Sequence, residues 1–180
     1  MNLALAVLTF VTAQRFAEFI WDWQNTRSLR AAGAVEFGGT HYPAMILIHA
    51  GWLAGLWVLG HNQPVIPAYL IAFLLLQVGR YWVLATLGRR WTTRVMVLPG
   101  VPLIESGPYR LMRHPNYAIV AGELVVLPLA LGLPVYALVS LVLYAGAVLL
   151  RIQVENAALD SVVGRESART GRALSIEAER

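Results

Sequence analysis

The apolar residues of this chain fall into long blocks, with neither the alternation of a half-buried strand nor the narrow stripe of a surface helix. Five blocks stand out, over 2–24, 42–60, 65–88, 116–131 and 134–155. Most approach the ~20 residues that a helix needs to cross a bilayer core, and the fourth is short. Gly132, Leu133 and Pro134 leave almost no loop, so blocks four and five predict a tight helical hairpin with Pro134 in the first turn. Before the fourth block, Thr92–Val97 and Val101–Glu105 flank Pro99-Gly100, which predicts a short cytoplasmic β-hairpin or paired extended segment. The expected fold is an all-α membrane protein of five transmembrane helices. The last helix is expected to run briefly past Asn156 and to lose order from about Gly164, giving one domain over 1–163 and a polar cytoplasmic tail over 164–180. The first block lacks a basic start and a small-residue cleavage site, so it reads as a span and not a signal peptide.

Composition agrees, with 58% hydrophobic residues, 13% charged ones and a mean hydropathy of +0.60. There is no cysteine, and every basic residue is arginine. Disulfides, thiolate chemistry and a lysine Schiff base are therefore excluded. The net charge of +4 is spread over loops and tail without a basic helix or RNA-binding motif, which argues against nucleic acid. Arg27 and Arg30 lie in the first loop, Arg89, Arg90, Arg94, Arg110 and Arg113 in the third, and Arg165, Arg169 and Arg172 in the tail. The positive-inside rule then predicts an external N-terminus, a cytoplasmic C-terminus and insertion in the cell membrane.

Polar residues inside the blocks change the picture. At ~1.5 Å per helical residue across a ~30 Å core, Arg15, Glu18, Gln77 and Arg80 fall in the leaflet nearer the arginine-rich loops. His49 and Glu123 lie about 10 to 12 Å in from that face. Four helices thus place costly groups in one layer. Each ionisable group costs about 2.5–3.5 kcal/mol on insertion scales, so such groups pair, face a cavity and mark a site. The expectation is an inner-leaflet polar cavity beside Tyr109, His114 and Arg151. Open to water at one end and to lipid between helices, it suits one soluble and one lipid-like reactant.

Each group also has a structural reading. Arg15 and Glu18, three apart, are spaced to neutralise one another as readily as to line a pocket. Arg151 and Glu155 are four apart with the acid second, the poorer helical order, which favours a functional reason. His114 before Pro115 suits a helix N-cap, a role compatible with ligand contact. His49 reads as a packed, hydrogen-bonded histidine, and His41 and His61 as loop or interface residues. Trp21, Trp23, Tyr42 and Trp91 read as interfacial anchors.

Three motifs, Gly107-Pro-Tyr109, Arg113-His-Pro-Asn-Tyr117 and Arg151-x-x-x-Glu155, together resemble the isoprenylcysteine carboxyl methyltransferase family of integral membrane methyltransferases. The resemblance runs from about Leu75 to Leu159, with Gln77-Val-Gly-Arg-Tyr81 as a first element. It implies S-adenosylmethionine at the cytoplasmic face and a lipophilic acceptor entering from the bilayer. By this resemblance Gln77, Tyr109, His114, Pro115, Tyr117 and Glu155 would hold the S-adenosylmethionine, and Arg151 would orient the acceptor or an anionic group, with Arg151 and Glu155 at the catalytic centre. Arg15, Glu18, His49 and Arg80 would lie on the acceptor side. Transfer from a sulfonium needs reactants held within about 3 to 3.5 Å and water excluded, with no metal. Aromatic faces suit the sulfonium charge.

The N-terminal third, with Arg15-x-x-Glu18, Asn25-x-Arg27, Gly33-Ala-Val-Glu36 and His41-Tyr-Pro43, resembles a bacterial branch of the family encoded near type III polyketide synthases. That branch implies O-methylation of an alkylpyrone or alkylresorcinol lipid; the wider family implies a prenylcysteine-type carboxylate. A phenol or enol gains from a base where a carboxylate does not, and Glu123 is the expected base. Rival readings are a phospholipid N-methyltransferase, a sterol-reductase-like NADPH oxidoreductase, and a non-enzymatic scaffold or transporter. The reductases follow their Arg-His-x-Asn-Tyr element with Gly-Asp, where this chain continues Ala118-Ile-Val-Ala-Gly-Glu123. A transporter is expected to carry polar groups past the midplane, and here the outer half is apolar.

Overall fold

Backbone amides in lipid find no water to bond, and helices satisfy them internally. The apolar blocks accordingly form α1 (Leu3–Ala31), α2 (Tyr42–Gly60), α3 (Pro67–Leu87), α4 (Pro115–Ala130) and α5 (Pro134–Ala178). The computed structural model describes residues 2–39 and 42–178, with side chains through Ala158; His41 lies outside the described residues. The side chain of Asn2 caps α1 by accepting from the Ala4 amide. Proline stands in the first turn of α3, α4 and α5, where its missing amide hydrogen costs nothing.

Among the described residues four helices are long and apolar enough to cross a membrane: α1, α2, α3 and α5. The fifth expected span, α4, has 16 residues, or about 24 Å at 1.5 Å per residue, short of a ~30 Å core. It packs against α3 and α5 through Val120, Leu124 and Leu127. Only residues 131–133 separate it from α5, and the Leu133 amide donates to Pro128 O at 2.9 Å, closing the expected tight hairpin. The helix α5 continues to Ala178, past the loss of order expected near Gly164. The tail contains no proline and is rich in Ala, Arg and Glu, which propagate a helix.

The short sheet departs from expectation. Its strand β2 (Val95–Val97) pairs antiparallel with β1 (Val35–Phe37) from the first loop, Val35 facing Val97. The segment after Pro99-Gly100 forms no strand. Pro102 has no amide hydrogen to give a ladder, and its carbonyl is taken by Arg90 Nη1 at 2.9 Å.

The buried core joins Leu8 and Val11 of α1, Leu56 of α2, Phe73 of α3, Leu124 and Leu127 of α4 and Tyr144 of α5. Outward, Leu47, Val58, Leu75, Val78, Val135 and Leu149 are exposed, the apolar surface of a multi-pass membrane protein. The sheet, the 3₁₀ turns Gly88–Arg90 and Gly107–Arg110, and the arginines of the first and third loops gather at one end of the bundle. This sheet end positions the site.

Candidate functional site

Arg15 and Glu18 of α1, Arg80 of α3 and Glu123 of α4 meet in one network. Arg80 grips Glu18 at two points, Nε to Oε1 at 2.5 Å and Nη2 to Oε2 at 2.6 Å, and its Nη1 reaches Glu123 Oε2 at 3.0 Å. Arg15 donates from Nη1 to Glu18 Oε2 at 2.9 Å and from Nη2 to Glu123 Oε2 at 2.8 Å. The other Glu123 oxygen accepts from Gln77 Nε2 at 2.8 Å, and Gln77 Oε1 accepts from Gln14 Nε2 at 2.7 Å. Two guanidinium charges thus face two carboxylate charges across α1, α3 and α4. A low-dielectric interior tolerates charge only when it is paired and hydrogen-bonded in this way.

Nearer the sheet end, α4 and α5 present a second cluster. The Tyr117 hydroxyl donates to Glu155 Oε2 and accepts from Arg151 Nε at 2.8 Å. Arg151 Nη2 donates to the Thr93 carbonyl at 2.5 Å, tying α5 to the third loop. The His114 ring stacks on Tyr117 with centroids 5.4 Å apart, and its Nδ1 lies 3.9 Å from Glu155 Oε1. Burial, reinforced by the Glu155 charge, pushes the Tyr109 phenol up to about 12, so its hydroxyl remains a donor at neutral pH. Two buried atoms here, His114 Nε2 and Asn116 Oδ1, have no hydrogen-bond partner among the described residues. A ligand with donors and acceptors would satisfy them.

Residues outside the expected site set hold this end together. Asp22 Oδ1 accepts from the Thr93 amide at 2.6 Å, and Asn25 Nδ2 donates to Trp91 O at 2.7 Å. Arg30 and Arg94 each bond a Glu36 oxygen at 2.5 Å. Burial works against ionisation of Glu36, yet the two guanidiniums hold its carboxyl below its ordinary value. Arg94 also lies over the Tyr42 ring, 3.9 Å from the centroid. Gly107 adopts φ +57°, and a Cβ there would sit 2.5 Å from Thr86 Oγ1. Only glycine fits both the backbone and the space. A signal for these contacts existed in the polar residues at the end of the first block, but not for their partners.

One cavity of about 1240 Å³ connects the two clusters. It exceeds the ~300–1,000 Å³ typical of a single-ligand pocket. Arg15, Glu18, His49 and Arg80 line its deep part, and Tyr109, His114, Tyr117, Arg151 and Glu155 its sheet end. Phe16 and Phe19 of α1, 65% and 61% exposed on the bundle surface, also line it, with Ile46 and Leu53 of α2. Gln77, Pro115 and Glu123, expected at the cofactor or acceptor, do not line the cavity. Gln77 and Glu123 are 4% and 2% exposed, consumed by the charge network, and Pro115 is buried in the first turn of α4.

The profile of the isoprenylcysteine carboxyl methyltransferase (ICMT) family matches residues 69–161. An uncharacterized Bacillus subtilis protein, YpbQ, is 38% identical over 160 residues, covering 85% of this chain and 94% of its own. An uncharacterized Haemophilus influenzae protein is 24% identical over 155 residues, covering 83% of this chain and 90% of its own. No solved structure matches the chain.

Proposed function

Since the chain belongs to the isoprenylcysteine carboxyl methyltransferase family, a family of methyltransferases, we propose that it transfers a methyl group from S-adenosylmethionine to a lipophilic acceptor within this cavity. The observation that carries this reading is the span of that cavity, from Glu155 at the sheet end to Arg15 and His49 among the helices. It offers a sheet end beside the loops and a deep part bordered by the exposed Phe16 and Phe19, as a water-soluble donor and a lipid acceptor require. S-adenosylmethionine supplies an electrophilic methyl on a positive sulfonium.

Tyr109, His114, Asn116, Tyr117 and Glu155 would hold the donor. The orphaned atoms of His114 and Asn116 support this, as does the stacked His114–Tyr117 pair. The Glu155 carboxylate and the aromatic faces favour a cation. Arg151, bonded to Tyr117 and Thr93, acts as a positioning residue that fixes the donor-side walls. Glu123 likewise positions Arg15 and Arg80; it accepts three hydrogen bonds within the network and has no face on the cavity, so it does not reach an acceptor there. The arginines of the first and third loops support a cytoplasmic sheet end by the positive-inside rule. The acceptor would enter from the bilayer past Phe16 and Phe19, and a phenolic or enolic lipid matches the oxygen-binding groups of the deep part better than a bulky protein-linked carboxylate.

Lipids extracted from cells with and without the gene, after feeding methyl-labelled methionine, test the reading. A labelled lipid present only with the gene is expected. Label confined to protein, or no difference between the strains, would contradict it.

A further inference from the structure

We propose that His49 is the general base of the transfer, its Nε2 receiving the hydroxyl proton of the acceptor. The inference rests on the methyltransferase reading and deepens it. His49 Nδ1 lies 2.8 Å from the carbonyl of Met45, one turn back on α2. A carbonyl only accepts, so in the neutral ring Nδ1 carries the proton and Nε2 is a bare lone pair. Among the described residues Nε2 has no hydrogen-bond partner, and the ring lines the deep part of the cavity. His61 shows the contrast: it makes the same bond to Trp57 O, but its Nε2 is taken by Asn62.

The carboxylates of the layer are occupied. Glu18 and Glu123 accept from Arg15, Arg80 and Gln77 with all four oxygens. Glu155 holds Tyr117 at the other end of the cavity. The charged groups acting on His49 are Arg15 of α1, Arg80 of α3 and Glu123 of α4, and the Tyr144 ring of α5 meets it edge-on at 6.0 Å. The Met45 bond and the Tyr144 edge thereby orient the ring.

The step balances. As an acceptor oxygen forms its bond to the methyl carbon, its O–H electrons remain on oxygen and the proton passes to His49 Nε2. The methyl carbon's bond to sulfur breaks and its electron pair stays on sulfur, leaving a neutral thioether. His49 then releases the proton to water in the cavity.

The test uses the full chain in lipid nanodiscs with two probes, a long-chain alkylphenol and its ring-nitrated analogue, whose hydroxyl is ionised at the assay pH. His49→Asn should leave S-adenosylmethionine binding intact, lower single-turnover transfer to the alkylphenol by about 100-fold or more, and nearly spare the nitrated acceptor. Without methyl donor, NMR of isotopically labelled histidine should show a bare Nε2 resonance that vanishes in His49→Asn and moves when the alkylphenol is added. Equal loss on both acceptors, full activity of His49→Asn, or a proton resident on Nε2 would overturn the assignment alone. A wild type that binds S-adenosylmethionine but methylates neither phenol would do the same. A wild type that binds no S-adenosylmethionine would sink the methyltransferase reading as well.

Discussion

Arg80 of α3 holds Glu18 of α1 by a two-point contact, at 2.5 and 2.6 Å, in the middle of the apolar bundle. The pair is 62 residues apart in sequence. It is half of a four-charge network whose other members, Arg15 and Glu123, remain matched if this pair is removed together. Arg80→Leu should therefore destabilise the protein by about 3–5 kcal/mol, the cost of stranding a buried charge. The double variant Glu18→Leu, Arg80→Leu should recover most of that loss. Reversible unfolding in mixed micelles measures both; a double variant as unstable as the single one would contradict the pairing.

Glu123→Gln separates positioning from proton transfer. Losing one negative charge against two guanidiniums should lower stability by about 3 kcal/mol or more. For the fraction that remains folded, the pH profile of methyl transfer should keep its shape. A profile that loses its rising limb would make Glu123 the base.

The layer holding these residues was legible in the sequence, because an arginine or glutamate within an apolar block has nowhere to go but inward. Depth alone brought Arg15, Glu18, Arg80, His49 and Glu123 to one level; four of them meet in one network, and His49 lines the cavity beside it. Depth does not give direction around a helix. Gln77 therefore read as a cofactor contact and Glu123 as a base, while their hydrogen bonds join them to each other and to Gln14, Arg15 and Arg80. The strand pairing of Val35–Phe37 with Val95–Val97 joins segments some 60 residues apart. Local turn chemistry at Pro99-Gly100 pointed to a nearer partner, because turn signals carry no information about long-range pairing.

Glu36 makes stability at the sheet end depend on acid. Its folded-state pKa lies below the ordinary 4.5 because Arg30 and Arg94 outweigh the effect of burial. Its contribution is thus fully present above that value and is lost as pH falls through the lower folded value. Thermal unfolding of wild type and Glu36→Gln should differ at pH 7 and converge toward pH 3. A gap that stays constant across that range would show that the two ion pairs contribute nothing.

Gly107→Ala should disturb the turn that presents Tyr109. The new methyl would meet Thr86 Oγ1 at 2.5 Å in a backbone conformation that costs L-residues about 1–2 kcal/mol. Weaker S-adenosylmethionine binding is expected with little loss of secondary structure, since the turn lies outside the helices. Adding Thr86→Ala should restore part of the binding; no change in the first variant would contradict the account of the turn.

Calorimetric titration of S-adenosylmethionine into the purified protein tests the central claim most directly. Micromolar binding is expected, with NADPH silent. His114→Ala and Glu155→Gln should each weaken it about tenfold or more, as loss of a hydrogen bond to a charged group worth about 1.5–3 kcal/mol requires. Absence of binding, or binding untouched by either substitution, would contradict a donor site at the sheet end of the cavity.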